Sequence, residues 1–163
     1  MPVSHQFCTF VVDGNLFGTS VGKVQEVIQH QPMTRVPLAP HAVRGMMNLR
    51  GQIVLALDLR RRLGLPDFAA GQVPMNVVVQ THEGSVSLLV DDIGDVLEVD
   101  EQTFEKPPET LRGFARKVVR GVYKLPGRLL LELDIDAVVD LRDCTNEHSQ
   151  GFGSRDFYDS ASA

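Results

Sequence analysis

The chain has no tryptophan, two tyrosines and two cysteines among 163 residues. Cys8 and Cys144 are too few and too far apart for a disulfide framework or a zinc ligand set, which leads us to expect a reduced, cytoplasmic protein. Apolar runs are short: stretches such as Ile53–Leu57 and Leu129–Leu131 fall far below the about 20 residues of a membrane span. The start, MPVSHQFCTFVV, has no basic region ahead of a long apolar run, so no secretory signal is expected. The five histidines show no H-x-x-x-H or H-E-x-x-H spacing, and no glycine-rich phosphate loop leads into Lys-Ser/Thr; no metal and no cofactor is expected. A net charge of −5 and few aromatics argue against nucleic acid and anionic membrane as partners.

What the chain does have is an internal repeat. Residues 44–65, RGMMNLRGQIVLALDLRRRLGL, align without a gap to residues 120–141, RGVYKLPGRLLLELDIDAVVDL, with 8 of 22 positions identical. These include Gly45/Gly121, Gly51/Gly127 and Asp58/Asp134. A second echo, VQEVIQH to IGDVLEV, runs at an offset of 69 rather than 76, which implies an insertion in the second half within Glu101–Lys117. Period-two alternation dominates and helix signals are short. Phe7–Val12, Leu16–Ser20, Gly45–Leu49, Gln52–Leu57, Asn76–Gln80 and Val86–Val90 read as strands, with turns at Asp13-Gly14-Asn15, Arg50-Gly51 and Thr81–Ser85. Val24, Val27 and Ile28 fit one helical turn or an extended edge. The pattern predicts an all-β protein made of two small barrels with short helices, offering a cleft between its halves. Pro66–Pro74 reads as a linker, and the polar segment 142–163 as a mobile tail.

Turn and cap chemistry add detail. Pro126-Gly127 suits the centre of a type II turn, and the repeat puts Arg50 in the proline-like position, at a hairpin tip and free for a partner. Asp58 and Asp134 each precede a short helix as N-caps, and Gly64 closes the first. Arg60-Arg61-Arg62 reads as a solvated face.

Three enzymatic or nucleic-acid readings compete with binding. Gly18-Thr19-Ser20-Val21-Gly22 matches the G-x-S-x-G nucleophile pattern, with Asp134 and His148 following, which makes Ser20 the candidate of a serine hydrolase. That elbow requires a strand-to-helix turn on a parallel sheet, and the preceding hairpin argues against it. Asp58 and Asp134 as a carboxylate dyad are better explained as caps. A barrel that binds single strands wants basic grooves and exposed aromatics. An interaction protein remains, with an apolar groove lined by Val24, Val27 and the Asn48–Gly51 turn that accepts a partner helix.

Four stretches resemble the CheW family of chemotaxis coupling proteins: FCTFVVDGNLFGTSVGKVQEVI, VRGMMNLRGQIVLALDLRRRLGL, NVVVQTHEGSVSLLVDDIGDVLEV and RGVYKLPGRLLLELDID. Together they cover nearly all of residues 5–141 in the family's order, with Asn48-Leu49-Arg50-Gly51 and Asp58-Leu59-Arg60 the most specific part. The resemblance implies two five-stranded SH3-like barrels, the first approximately 16–72 and the second approximately 73–136, completed by the terminal segments. It implies no enzymatic activity and a scaffold that couples the cytoplasmic tips of chemoreceptors to a CheA-type histidine kinase, recruited to membrane receptor arrays without inserting in the bilayer. A coupling protein of surface motility or biofilm control is the related alternative. Carried over by position, the receptor contact falls on Val24, Glu26, Val27, Gly45, Asn48 and Arg50. The kinase contact falls on Val77, Val78, Asp91 and Ile93. Leu55 departs from the family pattern, which usually has proline there.

Overall fold

The computed structural model describes residues 3–142. The expected tail from 143 onward, with Cys144 and His148, lies outside the described residues. Eleven strands and three short helices follow the alternation read from the sequence. They are β1 Ser4–Val12, β2 Asn15–Ser20, β3 Val24–Ile28, β4 Val43–Leu49, β5 Gln52–Asp58, α1 Leu59–Arg62, β6 Met75–Thr81, β7 Gly84–Val90, β8 Asp92–Asp100, β9 Phe104–Glu105, α2 Phe114–Val118, β10 Val119–Leu125, β11 Arg128–Leu133 and α3 Ile135–Val139. Val24, Val27 and Ile28 belong to the extended strand β3, reached from β2 through the 3-10 turn Val21–Lys23. β5 runs unbroken through Leu55, which pairs with Met46 on one side and Val86 on the other.

The strands form two sheets, ordered β3-β6-β7-β5-β4 and β8-β1-β2-β11-β10-β9. These are two SH3-like β-barrels. The first is central in sequence, drawing on residues 24–90; the terminal barrel draws on 4–20 and 92–133. The sheet limits therefore fall elsewhere than the approximate 16–72 and 73–136 expected from sequence. The cause is parallel pairing: β5 lies beside β7, and β2 beside β11. The hairpin that opens each repeat (β1–β2 or β6–β7) is thereby built into the barrel completed by the other repeat. Residues 10 and 17 of one hairpin pair as residues 79 and 86 of the other do, so the two barrels match at an offset of 69 in these strands.

Each barrel has a small interior: Phe7, Leu16, Val99, Tyr123 and Leu130 in the terminal one, Met47, Val54 and Val78 in the central one. The largest apolar cluster lies between them, joining Phe10, Val12, Phe17, Leu133 and Ile135 to Leu57, Leu59, Val77, Val79 and Leu88. Most of the apolar burial is thus at the seam, so neither barrel keeps its stabilising core when parted from the other.

Local chemistry shapes the ends. Asp58 and Asp134 cap α1 and α3, accepting from the N–H of Arg61 and Ala137 at 3.2 Å each. Gly64 closes α1 at φ 74°. Contrary to the solvated face expected of them, the three arginines of α1 turn inward. Arg60 grips Asp91, Arg61 lies against Asp58 and Asp67, and Arg62 donates to carbonyls at the end of α3 and stacks on Phe114. Guanidinium groups with long apolar stems suit this half-buried setting between two barrels.

Candidate functional site

Five of the six positions carried over for the receptor contact lie on one region of the central barrel. β3 is an outer strand of its sheet, so one row of its backbone groups has no ladder partner there. β4 is the outer strand at the other end of the same sheet, and the β4–β5 tip returns to β3. Arg50 Nη2 stands 2.6 Å from Glu26 Oε2, which ties the tip to the edge strand. The arginine is therefore paired rather than free, although its side chain stays 77% exposed. Val27 is exposed beside this pair, while Val24 is half-buried and packs against the seam cluster.

The turn itself differs from expectation. Arg50 and Gly51 have φ of 54° and 86°, both positive, the signature of a type I′ hairpin; only the Pro126-Gly127 turn keeps the type II pattern, with Gly127 at 76°. The reason is strand twist, which a two-residue I′ loop matches and which proline, fixed at negative φ, cannot adopt. Asn48 supports the turn by accepting the Gly51 N–H at 2.8 Å. An arginine at positive φ is strained by about 1 kcal/mol, so backbone preference is not what puts it there.

Gly45 is buried and serves the fold. A Cβ there would come within 2.8 Å of the Thr34 carbonyl oxygen. The missing side chain lets the 29–42 connection lie on β4, where Thr34 and Met46 exchange backbone hydrogen bonds of 2.7 and 2.8 Å. Gly121 does the same for β9, since a Cβ there would overlap the Phe104 ring. Gly45 is thus a packing residue rather than a surface contact.

The four positions carried over for the kinase do not form one surface. Val77 and Val78 are 1% and 0% exposed, on an interior strand with both edges paired, one facing the seam and the other the barrel interior. That corrects their expected role, because neither side chain nor backbone is accessible. Asp91 lies at the crossing from β7 to β8 and takes a bidentate bond from Arg60, at 2.7 and 2.6 Å. Burial pushes its carboxyl pKa upward, but the Arg60 bonds, the Asp13 N–H and Gln72 outweigh this and leave it below the ordinary aspartate value. Ile93, half-buried, packs against the seam cluster.

Sequence reasoning missed Ile53, directly opposite Asn48 and 67% exposed. The alternation of side-chain direction at the start of β5 contained that signal, because buried Val54 sends its neighbour Ile53 to the opposite face. Its repeat mate Leu129 and the mate of Val27, Val96, are also exposed. Both barrels thus show an apolar pair, and only the central one adds the Arg50–Glu26 ion pair.

The alternative chemistries find little support in the geometry. Ser20 ends β2 and leads into a 3-10 turn, to which its side chain gives no cap bond. Gly18 of that motif is a packing position, where a Cβ would meet Leu130 at 3.0 Å and Phe7 at 3.4 Å. Among the described residues no group of three or more His, Cys, Asp or Glu side chains is placed to hold a metal, and no helix is long and apolar enough to cross a membrane.

Comparison with known proteins agrees with this architecture. The family model described as a CheW-like domain matches residues 6–143. A chemotaxis protein CheW of Bacillus subtilis is 31% identical over 131 residues, covering 80% of this chain and 84% of that protein. One of Rhizobium meliloti is 30% identical over 133 residues, covering 82% and 86%. The crystal structure of the scaffolding protein TtCheW from Thermoanaerobacter tengcongensis superposes with a TM-score of 0.77 at 24% identity, covering 87% of this chain and 95% of that one. The match of the CheW-like domain across residues 6–143, with relatives 30% and 31% identical over most of their length, makes this chain a member of the CheW family.

Proposed function

We propose that the chain is a non-catalytic cytoplasmic adaptor that couples the tips of chemoreceptors to a CheA-type histidine kinase and is recruited by them to membrane arrays. The β3 edge and the β4–β5 tip take the receptor, through Val24, Glu26, Val27, Asn48 and Arg50, with Ile53 extending the apolar part. A barrel edge near Ile93 and the β7–β8 crossing takes the regulatory domain of the kinase. Occupying both surfaces at once raises the effective concentration of kinase at receptor, and no group with a tuned pKa is needed for that role.

The observation that carries this reading is Arg50, kept at a strained positive φ on an exposed tip, beside an edge strand and exposed apolar side chains.

Co-purification with a receptor fragment and a CheA-type kinase tests it. Arg50→Glu is expected to lose the receptor while the melting temperature stays near that of the parent. Adding Glu26→Arg rebuilds the internal ion pair in reversed order. Continued loss of receptor in the double variant means that Arg50 touches the receptor directly, and recovery means that the pair acts by holding the tip. Full receptor binding by Arg50→Glu would overturn the assignment.

A further inference from the structure

The two barrels are latched to each other twice, at positions related by the internal repeat, with the charges exchanged. On one side Arg60 of α1 reaches the β1–β2 turn and the β7–β8 crossing, meeting Asp13 at 3.6 Å and Asp91 at 2.6 Å. The repeat mate of Arg60 is Asp136 of α3. It reaches the β6–β7 turn and the 3-10 turn between β2 and β3, meeting His82 at 3.5 Å and Lys23 at 3.8 Å. Asp13 and His82 are themselves repeat mates, and Lys23 lies one residue beyond the mate of Asp91. The arrangement is the same on both sides; the strength is not. Arg60 and Asp91 form a bidentate pair with side chains 10% and 14% exposed, and Arg60 adds a bond of 3.0 Å to the Pro66 carbonyl. The Asp136 side has single long contacts between groups that are 36%, 38% and 90% exposed, plus one bond of 3.3 Å from the His82 N–H. A desolvated bidentate arginine pair is far stronger than exposed single contacts.

Between the latches lies Arg62, whose Nε donates at 2.7 Å to the carbonyl of Val138, its own repeat mate. Its guanidinium also donates to the Asp140 carbonyl and stacks on Phe114 at 3.8 Å. Contact with its own repeat mate puts Arg62 midway between the two matching halves, which is where a pivot belongs.

We infer that the seam is an asymmetric hinge: it pivots at Arg62, stays closed at Arg60–Asp91, and opens at Lys23–Asp136. The opening side is the one from which β3 departs, so its release uncovers the apolar flank of Val24 and Val79 beside the exposed Val27. If the receptor reading holds, this is the flank a receptor helix would enter, and docking there would be coupled to local opening of that flank while the rest of the seam stays packed. The hinge itself does not depend on that reading.

Hydrogen exchange on the free full-length chain tests it. Amides of residues 21–24 and 82 and of α3 are expected to exchange at least tenfold faster than those of residues 11–13 and 90–93. Asp136→Asn, a half-exposed change that leaves the core alone, should speed the first set a further several-fold and leave the second unchanged. Arg60→Lys keeps the charge, loses the bidentate grip, and should raise exchange on both sides. Equal protection of the two crossings in the parent protein overturns the hinge, as does an Asp136→Asn effect of equal size on both. Neither readout involves a receptor, so failure here leaves the adaptor reading standing, and failure of receptor binding leaves the hinge standing.

Discussion

Arg44 holds the carboxylate of Asp58 at 3.2 Å, and that carboxylate has none of its surface exposed. Burial nevertheless dominates: it raises the Asp58 pKa above the ordinary value even though the Arg61 N–H, Arg61 and Arg44 all pull it down. Asp91, also gripped by an arginine, is shifted the opposite way. The difference lies in burial and grip together: Asp58 is fully buried with longer contacts of 3.2 and 3.5 Å to Arg44 and Arg61, whereas Asp91 is 14% exposed and held by a bidentate pair.

Because the folded state favours the neutral form of Asp58, stability falls as pH rises from the unfolded pKa to the higher folded one. It does not return above that window. Asp58→Asn should therefore be at least as stable as the parent at neutral pH and lose that falling limb, since the amide oxygen still caps α1. Asp58→Ala removes the cap and should cost about 1 to 2 kcal/mol. Urea melts of the three proteins from pH 3 to 7 check both; a large loss in Asp58→Asn would show that the ion pair outweighs the burial.

For Asp91 the sign reverses. Its lowered pKa contributes stability that is complete above the unfolded pKa and is lost as pH falls through the folded one. Arg60→Ala leaves a largely buried carboxylate unpaired and should cost about 3 kcal/mol at neutral pH. The cost should shrink on acidification, where Asp91 becomes neutral. Chemical denaturation at pH 7 and pH 3 gives the comparison.

Gly121→Ala should destabilise by about 1 to 3 kcal/mol, because the new methyl group has to displace the Phe104 ring. Trimming that ring in a Gly121→Ala, Phe104→Ala double variant should recover part of the loss relative to Phe104→Ala alone. At Gly45 the obstacle is the backbone oxygen of Thr34, so Gly45→Ala should find no such rescue from Met33→Ala. Thermal melts of the two cycles distinguish a side-chain obstacle from a backbone one.

Arg50→Gly relieves about 1 kcal/mol of backbone strain and loses an exposed ion pair worth up to about 1 kcal/mol. The melting temperature should hardly move, while receptor binding in the co-purification assay should drop. A marked loss of stability would mean that the Glu26 pair is a structural closure of the barrel.

Much of the architecture was legible in the chain itself. Alternation located the strands, the aspartates announced the two short helices, and the repeated glycines at 45 and 121 and at 51 and 127 marked places where a side chain would collide or a turn needed positive φ. These features are local, set by the residue and its immediate neighbours, and a repeat doubles the signal. The Arg50 turn breaks the repeat: Pro126 dictates type II for its own turn, while Asn48 and strand twist dictate type I′ at Arg50.

What only tertiary structure decided was partnership. Local alternation says which face of a strand is apolar, but not that β7 lies parallel to β5 or that each opening hairpin joins the other barrel. The same gap hid the burial of Val77 and Val78, whose strand became interior on both edges and both faces. It also hid the inward turn of Arg60 and Arg62, because Asp91 and the end of α3 lie near them in space and remote in sequence. Long-range pairing and charge partners are settled by which surfaces meet at the seam, a property of the assembled pair of barrels that no single segment carries.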